Sequence, residues 1–159
     1  MIVYHGSFLV VSKPDIKFSK LNLDFGAGFY VTADKTQAEI WAKRKAIRQK
    51  SKPIVSTYSL TDDLSLYNGL VFADEDIAWL DYVAKCRKGN DLYKKYDYIS
   101  GSVADDDVFL TVDMYMRGIW DSQRALSEIR YYKTSHQICL AAQKLIDDEL
   151  SFVKSYEVR

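Results

Sequence analysis

Cysteine, proline and histidine are nearly absent from this chain, with two of each in 159 residues. Cys86 and Cys139 cannot build a disulfide framework and lack metal-ligand spacing, so they read as buried free thiols in a reducing compartment. Net charge is absent too: 22 basic residues balance 22 acidic ones, so no overall field draws in nucleic acid or an anionic membrane. No apolar run approaches the ~20 residues of a membrane helix, and no basic segment precedes an apolar stretch at the N-terminus. These absences point to the cytoplasm and away from a membrane. P-loop, zinc-finger, nucleophile-elbow and Ser-His-Asp patterns are missing as well, which leaves kinases, zinc hydrolases and α/β-hydrolases without support. What is present is a hydrophobic content of 48% and an aromatic content of 14%, enough for one packed domain spanning residues 1–159. One local basic cluster remains, Lys43, Arg44, Lys45, Arg48, Lys50 and Lys52, whose ordinary reading is a solvated helix face.

The periodicities predict strands and helices in an irregular order. Ile2 to His5 reads as a short strand closed by Gly6, and residues 12–24, with Pro14, as a surface loop. Phe29 to Thr32 is a second strand. Asp34 offers an N-cap with Gln37 at the capping-box position, and Ala38, Trp41, Ala42 and Ile47 form a helical stripe that must end before Pro53. Ile54 to Leu60 alternates as a strand. Residues 66–72 either extend a sheet around Asn68-Gly69 or form a loop. Glu75 to Lys88 is a helix stopped by Gly89, and Tyr98 to Val103 a strand. Helices follow over Val108–Arg117 and Ser122–Tyr131, the second capped by Asp121. Gln137 to Leu140 is a strand, Ala141 to Leu150 a helix and Phe152 to Val158 a closing strand. This order predicts an α+β fold with a split, mostly antiparallel sheet and flanking helices.

Two short motifs carry the chemistry. Tyr4-His5-Gly6-Ser7 ends the first strand, and Phe25-Gly26-Ala27-Gly28-Phe29-Tyr30-Val31-Thr32 leads into the second. Each sets a polar or aromatic side chain beside glycines, which let another group approach the backbone. His5 and Tyr30 are expected to face one another across a cleft between neighbouring strands. Read singly, each has a bland explanation: a strand-end histidine, a packed tyrosine, glycines that serve a bend.

Taken together, His-Gly-Ser followed by Gly-x-Gly-x-Tyr resembles the nicotinamide-binding half of the ADP-ribosyltransferase superfamily, in its His-Tyr branch. The wider set, adding Gln37-Ala38-Glu39, Ala104-Asp105-Asp106 and His136-Gln137-Ile138, is similar to an uncharacterised bacterial domain family within that superfamily. The resemblance implies an ADP-ribosyltransferase-like sheet and NAD as substrate, with no metal. It implies that His5, Gly6, Ser7, Gly28 and Tyr30 bind the dinucleotide, with Tyr30 offering its ring face to the cationic nicotinamide. It further implies transfer of ADP-ribose to a macromolecular acceptor, protein or nucleic acid, and a toxin-type effector with a cognate inhibitor protein as a candidate partner. The alternative is a non-catalytic NAD- or nucleotide-binding sensor that works through a protein partner.

The superfamily's third strand opens with a glutamate, and here the matching position is Gln137. An amide can hydrogen-bond a ribose hydroxyl but supplies no net charge to a developing cation. The catalytic candidates are therefore Gln137 together with Asp106 or Asp105, which stand at a strand–turn–helix junction. Asp107 is the expected helix cap there, and Asp24 is a further candidate acid. His136, next to Gln137, is expected on the opposite face of its strand.

Overall fold

The computed structural model describes residues 1–132 and 134–159; the side chain of Asp106 also lies outside the described residues. The strands form two sheets. In the first, β1 (Ile2–Ser7) and β7 (Leu150–Glu157) flank β3 (Ile54–Leu60), both antiparallel to it. In the second, the order is β2 (Phe29–Val31), β6 (His136–Leu140), β5 (Tyr98–Ser102), β4 (Gly69–Val71), antiparallel except for the β4–β5 pair. The sheets touch along one seam, where Tyr4 and Thr32 exchange backbone bonds of 2.8 and 3.0 Å. Across that seam the order runs β7-β3-β1, then β2-β6-β5-β4. The result is the α+β architecture with a split, mostly antiparallel sheet that the element order predicts.

Five α-helices stand among the described residues: α1 (Lys35–Gln49), α2 (Ile77–Arg87), α3 (Asp106–Met116), α4 (Ser122–Ile129) and α5 (Gln143–Glu149). Four begin at an aspartate whose side chain accepts from a backbone N–H of the first turn: Asp34, Asp76, Asp105 and Asp121. The cap of α3 thus falls to Asp105, not Asp107, because the helix starts two residues earlier than its apolar stripe suggests. Helix α1 stops at Lys50 in the left-handed conformation, three residues before Pro53.

Alternation divides the second sheet between two cores. Phe29, Val31 and Leu140 join Val3, Tyr58 and Leu145 on one face. Ile99 and Cys139 join Phe25, Trp79, Leu80 and Val83 beneath α2–α4 on the other. A third, smaller core packs α1 on the first sheet through Ala38, Ala42 and Val55. Small residues on α1 let the helix lie close over β1.

Candidate functional site

His5 sits on β1 where the two sheets begin to part. Its Nδ1 lies 2.7 Å from the carbonyl oxygen of Tyr30. A carbonyl can only accept, so Nδ1 carries the proton and Nε2 keeps its lone pair. The ring stacks on Phe29, with centroids 4.4 Å apart at 26°. Desolvation, with the nearby Lys45 cation as a second cause, lowers the imidazole to about 3, so it is neutral at physiological pH. Lys45 reaches from α1 and donates to the Gly6 carbonyl at 2.8 Å. Burial, and then the like charge of Lys20, lowers that ammonium to about 8.

A neutral, half-buried imidazole ties stability to pH. Unfolded, His5 takes a proton near 6.5; folded, it resists until about 3. The unfolded chain therefore binds the proton first, and stability is lost as pH falls from 6.5 towards 3. His5→Gln keeps a donor for the Tyr30 carbonyl and cannot titrate. The variant is expected to lose less stability across that window, by a few kcal/mol at most. Urea midpoints at pH 7, 5 and 4 measure the difference; parallel curves for both proteins contradict this assignment.

The rings of His5 and Tyr30 do not share a cleft. Phe29, against which His5 stacks, and Tyr30 are adjacent on β2 and point to opposite faces. Tyr30 pairs with Cys139 and turns into the core beneath α2. Its hydroxyl donates to the Gly26 carbonyl at 2.6 Å and accepts from the Phe25 N–H at 3.0 Å. Tyr30 therefore pins the glycine loop, and what it offers His5 is its backbone carbonyl. A side chain between two cores goes where its length fills space, and the motif alone could not choose the face.

The glycines are also explained inside the molecule. A Cβ on Gly6 would stand 2.0 Å from the Ala38 carbonyl oxygen and 2.7 Å from the Ala42 nitrogen, so α1 itself is what approaches. Gly26 has a φ of +84° and lies against the Tyr93 ring. Gly28 abuts Cys139 and Leu140 of β6. Ser7 is buried at the end of β1.

Gln137 is 3% exposed and its Nε2 donates to Asp24 Oδ2 at 3.0 Å. The carboxylate beside Gln137 is therefore Asp24, not Asp105, which caps α3, and Asp106's side chain lies outside the described residues. Asp24 also accepts from Arg87 Nε at 2.9 Å, from Arg87 Nη2, and from the Ala104 N–H at 2.9 Å. Arg87 in turn donates to the Ala104 carbonyl and stacks over Phe109. This buried knot ties the glycine loop, α2, β6 and the β5–α3 turn together. Its charge is cancelled from within, so it holds the fold rather than offering a free base.

On the opposite face of β5 and β6, His136 Nε2 meets Ser100 Oγ at 3.2 Å. Nearby, Glu75 accepts from both Ser102 and Thr134 hydroxyls. His136 thus lies opposite Gln137, as alternation requires. Nothing in the sequence signals Glu75, since its partners are 27 and 59 residues away. Two open cavities, of about 460 and 510 Å³, lie elsewhere: one between α2 and α3, the other beside Ala27, Tyr93 and Tyr96. Cys86 and Cys139 are buried free thiols, pushed up by burial to about 11 and 12. Among the described residues, no group of three His, Cys, Asp or Glu could hold a metal ion, and no helix is long and apolar enough to cross a membrane.

No curated protein matches the chain. Residues 1–152 match the model of the family described as "Protein of unknown function (DUF3990)", and the chain belongs to that family.

Proposed function

We propose that this chain is an ADP-ribosyltransferase that takes NAD⁺ at the seam between its two sheets. The observation that carries the reading is the position of His5: its Nδ1 is committed to Tyr30, and Nε2, which meets no hydrogen-bond partner among the described residues, keeps a lone pair that would accept from a ribose hydroxyl. The split sheet and the His-Gly-Ser and Gly-x-Gly-x-Tyr motifs, side by side at the seam, support it. In the reaction the nicotinamide C–N bond breaks, nicotinamide leaves with the electron pair, and a nucleophile of a macromolecular acceptor bonds to the ribose while losing a proton. Neutral His5 orients the ribose; Tyr30 holds the glycine loop in place. The acceptor is a protein or a nucleic acid, and the two buried thiols suit a reducing cytoplasm. A toxin-type effector restrained by an inhibitor protein is the corresponding biology.

A specific observation favours a second reading, a non-catalytic NAD-binding module. Gln137 is tied to Asp24, whose charge Arg87 cancels, so a free carboxylate for the developing ribosyl cation is not built from these two residues. Turnover of nicotinamide-labelled NAD⁺ decides between them. The transferase reading expects nicotinamide release by the native protein, diminished at least tenfold in His5→Phe. Binding without release establishes the module instead. Asp105→Asn, Asp106→Asn and Gln137→Glu variants then assign the acid: higher turnover in Gln137→Glu marks the native chain as a damped enzyme.

A further inference from the structure

The open cavity of about 510 Å³ beside the glycine loop does not include His5 among its walls. Ala27, Tyr93, Tyr96, Asp97, Ile16 and Gln143 line it, and its volume lies in the range of small-molecule sites. The walls are fixed from within. Gln143 accepts from the Ile16 N–H at 3.0 Å and donates to the Pro14 carbonyl at 3.1 Å, which ties one wall to the start of α5. The Asp97 carbonyl accepts from the Ala141 and Ala142 N–H groups at 2.8 and 3.1 Å, which ties another to the end of β6. A Cβ on Gly26 would stand 2.1 Å from Tyr93 Cδ1, so that ring lies directly on the glycine loop. Tyr96 is held edge-on by Tyr82, with ring centroids 6.5 Å apart at 64°.

Three features of this cavity select one chemistry. Two tyrosines among its lining residues favour a flat aromatic ligand. The lysines at its rim are already paired, Lys17 with Asp15 at 3.0 Å and Lys94 with Asp91 at 3.5 Å, so no bare positive charge calls for a phosphate. What is left without a partner among the described residues is one donor and one acceptor. The Gly26 N–H meets the Leu23 carbonyl at 3.1 Å and the Gly28 N–H meets Ser19 Oγ at 2.8 Å, while the Ala27 N–H between them has no partner. Asp97 Oδ2 accepts from the Asn68 N–H at 2.8 Å, and its Oδ1 is open. Both residues are half-buried, so each open group meets water or a ligand.

We propose that this cavity binds a purine base with an exocyclic amino group. The ring stacks on Tyr96, a ring nitrogen accepts from the Ala27 N–H, and the amino group donates to Asp97 Oδ1. Adenine carries such an acceptor on either side of its amino group. The assignment is independent of the reading of His5, since it needs a nucleoside and no nicotinamide.

The test is calorimetric titration of adenosine, purine riboside and inorganic phosphate into the native protein and into Tyr96→Phe, Tyr96→Leu and Ala27→Leu. Circular dichroism verifies that each variant folds. The native protein is expected to bind adenosine saturably, and purine riboside, which lacks the amino group, at least threefold more weakly. Tyr96→Phe keeps the ring face and should hold adenosine within about twofold, whereas Tyr96→Leu removes that face and should weaken it at least fivefold. Ala27→Leu fills the cavity from the glycine loop and is expected to block adenosine, which keeps the test decisive if Tyr96→Leu fails to fold. Inorganic phosphate should neither bind nor displace adenosine. No saturable heat for adenosine with the native protein overturns the site. Equal adenosine affinity in the native protein, Tyr96→Leu and Ala27→Leu overturns it as well, because the base then lies elsewhere. Purine riboside binding as tightly as adenosine overturns the pairing with Asp97 and with it the choice of an aminopurine.

Discussion

Asp24→Asn is expected to lower the unfolding free energy by about 3–5 kcal/mol, the usual cost of removing one partner from a buried ion pair. The two side chains are 11% and 13% exposed, so water cannot replace what the mutation removes. Arg87 would keep its charge with only the Ala104 carbonyl and the Phe109 ring to meet it. The Gln137 amide and the Ala104 N–H would share a weaker, uncharged acceptor. A double variant, Asp24→Asn with Arg87→Met, is expected to recover part of the loss, because the uncompensated cation is then gone. Urea denaturation measures both. A loss below about 1 kcal/mol in the single variant would show that the knot is wetter than its burial indicates.

Gly6→Ala is expected to cost about 3 kcal/mol or more, at the upper end of overpacking effects, or to abolish folding. The added carbon would meet backbone atoms of α1 at 2.0 and 2.7 Å, and backbone cannot rotate out of the way as a side-chain tip can. Helix α1 would have to lift from β1, opening the small Ala38–Ala42–Val55 core. Gly118→Ala is the control: nothing lies within 4 Å, and only its φ of +70° is strained, which costs about 1–2 kcal/mol. A stable Gly6→Ala protein that has merely lost ligand binding would return this glycine to the role its motif suggested.

The fold was readable where period and punctuation agree. The alternation of residues 54–60, the stripe of α1 and the caps at Asp34 and Asp121 each name their element locally. Asp105-Asp106-Asp107 was ambiguous because three consecutive aspartates offer three equivalent caps, and only the start of α3 selects Asp105. The site was legible as a place but not as an arrangement. His5 and Tyr30 do meet, yet through a ring nitrogen and a backbone carbonyl. Which face of β2 takes Tyr30 depends on the two cores on either side, and no local pattern encodes that. The Asp24–Gln137 contact spans 113 residues, so its closure is a property of the assembled sheet. Lys45 was visible only as one charge in a basic run; its burial distinguishes it.

The central claim is that the seam at His5 receives NAD⁺, and titration calorimetry of NAD⁺ into the native protein and the His5→Phe variant tests it most directly. Phenylalanine keeps the ring that stacks on Phe29 and removes both nitrogens. The account predicts saturable heat with the native chain and its loss, by tenfold or more in affinity, in the variant. No heat with the native protein, or equal affinity in the two, contradicts it.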